Sequence, residues 1–313
     1  MSGSPRILVL RGGAIGDFVV TLPVFQALKK KWPGADIEIW GYPHIAELAV
    51  EGGLAARVVS LDRAAMAKFY LPVPSWSEEQ EAEVRGFDLI LNYLHDPEGQ
   101  IKSNLLLAGA RKVLSGSPII KRGAASRFLM EPLMDLGLYG ESDVPELALG
   151  EARMEEGRRA LAGEGRSMVI HPGSGGAAKK WPMKRFLEVA ARLEAAGWRV
   201  FWSFGEADED ERAAWQAAGS PGRELEAGSL GRLAAVLAHA DGYLGNDSGV
   251  THLAAAAGCR TLALFGPSDA DKWSPKGRGG VRVLRAPADC MGELPVESVW
   301  AAVVEWFGGG AES

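Results

Sequence analysis

The stretch Ile7-Leu-Val-Leu-Arg-Gly-Gly-Ala-Ile-Gly-Asp17 sets a glycine-rich turn directly between an apolar, strand-like run and the start of a helical pattern. In such a place free backbone N–H groups face a ligand. The spacing is not that of a dinucleotide fingerprint, because Arg11 stands where the turn-defining first glycine belongs, although Gly13 and Gly16 fit. The acid expected at the end of the second strand is missing too, since Ile37-Glu-Ile-Trp40 runs into Gly41-Tyr42. NAD binding is therefore disfavoured.

Outward from that turn, apolar runs recur at 37–40, 57–61, 87–91 and 112–114, with helix-patterned segments between most of them. Strands alternating with helices imply parallel pairing in a covered sheet, the α/β class. In the first helical segment Phe18, Leu22, Phe25, Leu28 and Trp32 recur at three- and four-residue spacing, Pro23 kinks or restarts it, and Pro33-Gly34 stop it. After a charged helical stretch at 151–166 the alternation resumes with runs at 168–171, 198–202, 242–244, 261–265 and 281–284. Two Rossmann-like domains follow, 1–155 and 156–313, with the polar segment 140–145 read as part of the hinge. The last helical pattern, 296–307, either closes the second domain or crosses back to brace the first.

Composition narrows the function. The 313 residues are 47% hydrophobic, which suits one large or two ordinary globular domains and excludes disordered and fibrous classes. A formal charge of -6 gives no overall cationic field for nucleic acid or anionic lipid. Cys259 and Cys290 fit neither a disulfide framework nor a zinc pattern, so a reducing, cytoplasmic setting is expected. No signal-like or membrane-spanning apolar stretch is recognised, and no metal-ligand cluster. One exception to the acidic balance stands out: between Gly99 and Met130 there is no acid, yet Lys102, Arg111, Lys112, Lys121, Arg122 and Arg127 occur. Such a run is either a solvated face or a local site for an anionic substrate.

Four further features carry chemistry. Asp17, at the mouth of the first turn, suits a helix N-cap and, as a carboxylate, could accept a proton from a substrate hydroxyl. His171-Pro-Gly-Ser-Gly-Gly-Ala-Ala-Lys-Lys-Trp-Pro182 lies between a strand and a helix beginning near Met183; Ser174 and a lysine there offer what a phosphate oxygen needs. Gly245-Asn-Asp-Ser-Gly-Val-Thr-His252 ends a strand in an Asp-Ser-Gly turn and starts a small-residue helix, an anion-binding arrangement with His252 about one turn in. The acidic run Glu206 to Glu211 follows another strand end, where one carboxylate is placed to accept from a ribose diol. A serine hydrolase is rejected, because no nucleophile elbow surrounds Ser248.

Taken in order, Arg11-Gly-Gly-Ala-Ile-Gly-Asp17 with Thr21-Leu-Pro23, Lys179-x-Trp181-Pro182 and Asp247-Ser-Gly-x-x-His252 resemble glycosyltransferase family 9, the ADP-heptose lipopolysaccharide heptosyltransferases. The resemblance runs from Ile7 to about Trp273. It implies a GT-B architecture, two Rossmann-like domains with parallel sheets facing across a cleft, with the acceptor in the N-terminal domain and the nucleotide-sugar donor in the C-terminal one. By that resemblance Asp17 is the catalytic base and Lys179 the phosphate-binding, charge-stabilising cation. Donor contacts fall on Gly16, Ser174, Lys179, Asp247, Ser248, Gly249 and His252, with Glu209 matched to the ribose carboxylate.

The acceptor, an anionic, lipid-linked inner-core saccharide, is assigned to Lys102, Lys121, Arg122 and Arg127. No cofactor and no metal are implied, ADP-heptose being a substrate; the protein would be a monomer that binds no nucleic acid and touches the inner face of the cytoplasmic membrane. The alternatives are another nucleotide-sugar enzyme such as an epimerase, and a catalytically silent donor-binding protein. Gly12-Gly13 departs from the hydroxyl residues common in the family at this loop.

Overall fold

The computed structural model describes residues 4–226 and 228–308. The chain divides into two compact units, Met1–Ala148 and Leu149–Ser313. The first is built on five parallel strands, β1 (Arg6–Leu10), β2 (Asp36–Gly41), β3 (Arg57–Ser60), β4 (Leu89–Asn92) and β5 (Val113–Ser115), in the order β3-β2-β1-β4-β5. The second has six, β6 (Ser167–His171), β7 (Arg199–Trp202), β8 (Arg223–Glu224), β9 (Gly242–Asn246), β10 (Thr261–Phe265) and β11 (Val281–Arg285), in the order β11-β10-β9-β6-β7-β8. All these pairings are parallel too.

Continuous apolar strands are what a sheet covered on both faces requires. Ile7 to Leu10 and Met168 to Ile170 are fully buried, and each sheet carries its own core. Trp40, Phe87 and Ile90 pack in the first, and Trp181, Phe186, Trp202 and Phe307 in the second. In each sheet the order reverses beside the first strand, between β1 and β4 and between β6 and β9. Ligands of such sheets collect beyond the carboxyl ends of the strands at that reversal.

The segment after β1 folds as two helices, Ile15–Val19 and Leu22–Lys31, with Pro23 in the first turn of the second. Proline is tolerated there because the first helical N–H groups have no partner in any case. The division between units falls ahead of helix Glu151–Ala160, which a boundary at 155/156 would cut in two. Gly157 lies where that helix meets helix Leu230–His239: a Cβ there would sit 2.3 Å from the Ala235 carbonyl. Segment 140–145 is tied to the first unit by Lys30–Glu141 at 2.7 Å and Arg127–Asp143 at 3.3 Å. The last helix, Val296–Phe307, buries Val299, Val303 and Phe307 in the second core, so it closes that unit. No helix among the described residues is long and apolar enough to cross a membrane.

Candidate active site

At the β6/β9 reversal, two loops leave adjacent strand ends. The loop after β6 is pinned by Asn246, whose amide donates to the Pro172 carbonyl at 2.7 Å and whose oxygen accepts from the Trp181 N–H at 3.0 Å. Ser174 Oγ donates to the Asp247 carbonyl at 2.7 Å. Lys179 Nζ then meets Asp247 Oδ2 at 2.8 Å, the lysine partly exposed and the carboxylate buried. Lys180 points elsewhere, to Glu211 at 2.9 Å.

Ser248 caps helix Gly249–Ala256 by accepting from the Thr251 N–H. Thr251 is itself fixed, bonded to the Tyr243 hydroxyl at 2.9 Å and to the Asn246 carbonyl. The N–H groups of Gly249 and Val250 have no carbonyl one turn back, and the helix dipole puts partial positive charge beside them. A flexible cation, a hydroxyl and a helix start thus converge at one strand end, an arrangement suited to a diphosphate. His252 is buried within the same helix.

The acidic run resolves into distinct parts. Asp208, not Glu209, is the buried acid: it accepts from the Gly205 N–H at 2.7 Å and lies 3.8 Å from His171 Nε2. His171 donates through Nδ1 to the Ser203 carbonyl at 2.8 Å, and burial pushes its pKa down, with Asp208 opposing. Gly173 packs on Asp208 so closely that a Cβ would fall 2.1 Å from its carboxylate. Glu209 opens helix Glu209–Ala217 and is exposed.

At the β1/β4 reversal, Ala14 rather than Asp17 is the N-cap; Asp17 sits three residues on, and its Oδ2 accepts from the Ala14 N–H at 3.0 Å. The turn at Gly13 has a φ of +100°, and a Cβ there would fall 2.9 Å from Asp17 Oδ2, so it leaves no room for a side chain. Beneath lies Arg11, almost fully buried. It donates to the Asp17 carbonyl at 2.7 Å and to Thr21 Oγ1 at 2.9 Å, and its Nη2 lies 3.7 Å from Asp17 Oδ1. Burial lowers the Arg11 pKa, and Asp17 and the buried Tyr93 oppose that shift. Asp17 is left partly exposed at the sheet's carboxyl edge. Gly16 lies one residue before it, within the first helical turn.

Comparison with known proteins decides what these loops belong to. Residues 104–299 match the family model of glycosyltransferase family 9 (heptosyltransferase). The chain belongs to glycosyltransferase family 9.

It is also 27% identical, over 89% of its length and 83% of the relative's, to lipopolysaccharide heptosyltransferase 1 of Pseudomonas aeruginosa. Its fold resembles that of E. coli ADP-heptose LPS heptosyltransferase II, with a TM-score of 0.77 at 18% identity, covering 96% of this chain and 98% of that one. An E. coli heptosyltransferase solved with ADP gives a TM-score of 0.69 at 23% identity, covering 96% and 99%. The two parallel-sheet units are those of the GT-B fold, and the protein is a glycosyltransferase.

In this family 9 glycosyltransferase the basic segment is less charged than its sequence suggests. Arg111 pairs with Asp88 at 2.6 Å, Arg122 with Glu131 at 2.8 Å and Arg127 with Asp143 at 3.3 Å, each acid coming from outside residues 99–130. Lys112 donates to the Asp135 carbonyl. Lys102 and Lys121 remain exposed, without a carboxylate partner among the described residues. Among the described residues no three His, Cys, Asp or Glu side chains gather as a candidate metal cluster. Sequence reasoning quoted Arg11, Thr21, Asn246 and Thr251 within its motifs but gave them no part in holding the loops; an arginine directly after an apolar run was the one visible signal.

Proposed function

We propose that the protein transfers a heptose from ADP-heptose to an anionic, lipid-linked inner-core saccharide, with inversion at the anomeric carbon. The observation that carries this reading is Lys179 held by Asp247 beside the Ser248–Gly249 helix start, at the reversal of the second sheet. The ADP complex of an E. coli relative and the lipopolysaccharide heptosyltransferase names of others support it.

In this scheme the diphosphate lies against the Gly249 and Val250 N–H groups and draws Lys179 away from Asp247. Ser174 and Asn246 hold the loop. As the sugar–phosphate bond breaks, Lys179 and the helix start stabilise negative charge on the departing ADP. Asp17 takes the proton of the attacking acceptor hydroxyl. Gly16, His252 and Glu209 complete the donor contacts, Glu209 reaching the ribose. Lys102, Lys121, Arg122 and Arg127 face the acceptor's anionic groups. No metal enters these steps, and the enzyme works as a monomer at the cytoplasmic face of the membrane.

The test pairs binding with turnover. Calorimetry of ADP with chelator present should give binding, which Asp17→Asn leaves unchanged while abolishing heptosyl transfer. The Asn oxygen can still accept from Ala14. An active Asp17→Asn enzyme would remove Asp17 from catalysis, and ADP binding that needs Mg²⁺ would overturn the metal-free scheme.

A further inference from the structure

The large hydrophobic side chains left exposed are unevenly distributed. Of nine among the described residues, eight lie in the first unit, and five of those come from two short segments, 70–73 and 106–107. Val73 is 87% exposed and Leu107 70%, while Tyr70, Leu71 and Leu106 are about half exposed. A single exposed leucine is ordinary on a protein surface; a cluster of this kind marks an interaction site.

The two segments form one face because a buried side chain joins them. Asn104, in helix Gln100–Leu107, is fully buried and donates through Nδ2 to the carbonyls of Phe69 at 2.9 Å and Leu71 at 2.8 Å. Ile101 and Leu105 of the same helix enter the core, which leaves Lys102, Ser103, Leu106 and Leu107 outward. Leu107 stands three residues beyond Asn104, on the flank of the helix that meets the loop.

What this face carries suits lipid. Helix Gln100–Leu107 holds no acid, and two cations border the face: Lys102 is exposed, and Lys68 donates to the uncharged amide of Gln80 at 2.9 Å. Pro72 and Pro74 have no N–H, the Leu71 N–H reaches the Lys68 carbonyl at 3.2 Å, and the Phe69 and Leu71 carbonyls accept from Asn104. The loop therefore presents little unpaired backbone to a medium without water, where each unpaired group is costly. Leucine, valine and a tyrosine beside lysine are the residues of a segment that lies in a lipid interface.

We propose that this face, Tyr70, Leu71 and Val73 with Leu106 and Leu107, docks the protein on an anionic lipid surface by inserting its apolar side chains at headgroup depth. Lys68 and Lys102 then meet lipid phosphates, attraction that adds to the apolar term. The inference deepens the proposed function and rests on it for the lipid-linked acceptor, whose sugars are presented on the surface where the first unit sits.

The experiment sediments the full chain with vesicles of phosphatidylethanolamine and phosphatidylglycerol. The wild type should co-sediment. Val73→Asp combined with Leu107→Asp should lower the partition coefficient at least ~10-fold, the scale of keeping one large apolar side chain in water, with the melting temperature unchanged because both side chains are already exposed. Val73→Leu combined with Leu107→Phe should keep wild-type partition. Heptosyl transfer to acceptor carried in the same vesicles should show a raised acceptor KM in the aspartate variant, while transfer to acceptor freed of its acyl chains keeps the wild-type KM.

A wild type that stays in the supernatant overturns the proposal, and so does a folded aspartate variant that co-sediments like the wild type. Light scattering without lipid that finds a wild-type dimer, split by the variant, assigns the face to a second copy and overturns it as well. Should the aspartate variant fail to fold, Val73→Ser combined with Leu107→Gln carries the same comparison. Absence of transfer to either form of acceptor removes the proposed function, and sedimentation still decides the face.

Discussion

The guanidinium of Arg11 donates to the backbone carbonyl of Asp17 at 2.7 Å from a position that is almost wholly buried. The same arginine bonds Thr21 Oγ1, and the Thr21 hydroxyl donates to that same carbonyl at 2.8 Å. Two side chains thus hold the Asp17 backbone from below, while its partly exposed carboxylate accepts from the Ala14 N–H and lies 3.7 Å from Arg11 Nη2.

Arg11→Met should therefore cost ~1.5–3 kcal/mol of stability, the scale of a lost hydrogen bond to a charged group. In the fraction that folds, kcat should fall far more than donor KM changes. Thermal melts and steady-state kinetics on the same preparation check this; an unchanged kcat would reduce Arg11 to a support of the fold.

Lys179→Ala should lower kcat by ~10²–10³-fold, the usual cost of one charge-stabilising donor, and weaken ADP binding. Lys180→Ala should do neither, because that lysine is spent on Glu211. Equal losses in both variants would mean that the loop, and not its one lysine, carries the effect.

Burial lowers the His171 pKa in the folded protein, with Asp208 opposing. An unfolded histidine takes its proton near pH ~6.5. Below that value the unfolded state binds the proton more readily, so stability should be full above it and decline as pH falls toward the lowered value. Denaturant melts between about pH 5 and 8 should show that slope, and His171→Gln should flatten it. An unaltered slope would place the titration elsewhere.

Burial pushes the Cys259 thiol up to about 12, while Cys290 is exposed. The thiolate is the reacting form. Iodoacetamide on native protein, read by peptide mass spectrometry, should label Cys290 and spare Cys259 until denaturant is added.

Arg122 is exposed and paired with Glu131, a geometry worth ~0–1 kcal/mol. Arg122→Ser should barely move stability. Joint substitution of Lys102 and Lys121 by Ser should raise the acceptor KM and weaken its salt dependence, since such contacts are screened over ~8 Å at physiological ionic strength. No change in either would make the segment an ordinary solvated face.

The strands were legible because both sheets are covered on each side, so Ile7 to Leu10 or Thr261 to Phe265 read as unbroken apolar runs. β8 was not, for it consists of Arg223 and Glu224, and two polar residues carry no such signal. Lys179 and the Asp247-Ser248-Gly249 turn could be named because glycine, hydroxyl and cation spacing is local. Asp208 could not be told from Glu209, since burial within a run of acids depends on His171 and Gly173, more than thirty residues away in the chain. The ion pairs of the basic segment were hidden for a related reason. Asp88, Glu131 and Asp143, which pair with three of its arginines, lie outside the window that defined it.

The pairing of a locked and an open glycine after β1 gives two neighbouring codons opposite fates. At Gly13 any side chain meets Asp17 and a left-handed backbone, so selection should purge nearly every change. At Gly12 a methyl or hydroxyl fits without strain. Lineages can therefore try new side chains five residues from Asp17 without disturbing the turn that packs against it, and the loop has room to drift while that turn stays fixed.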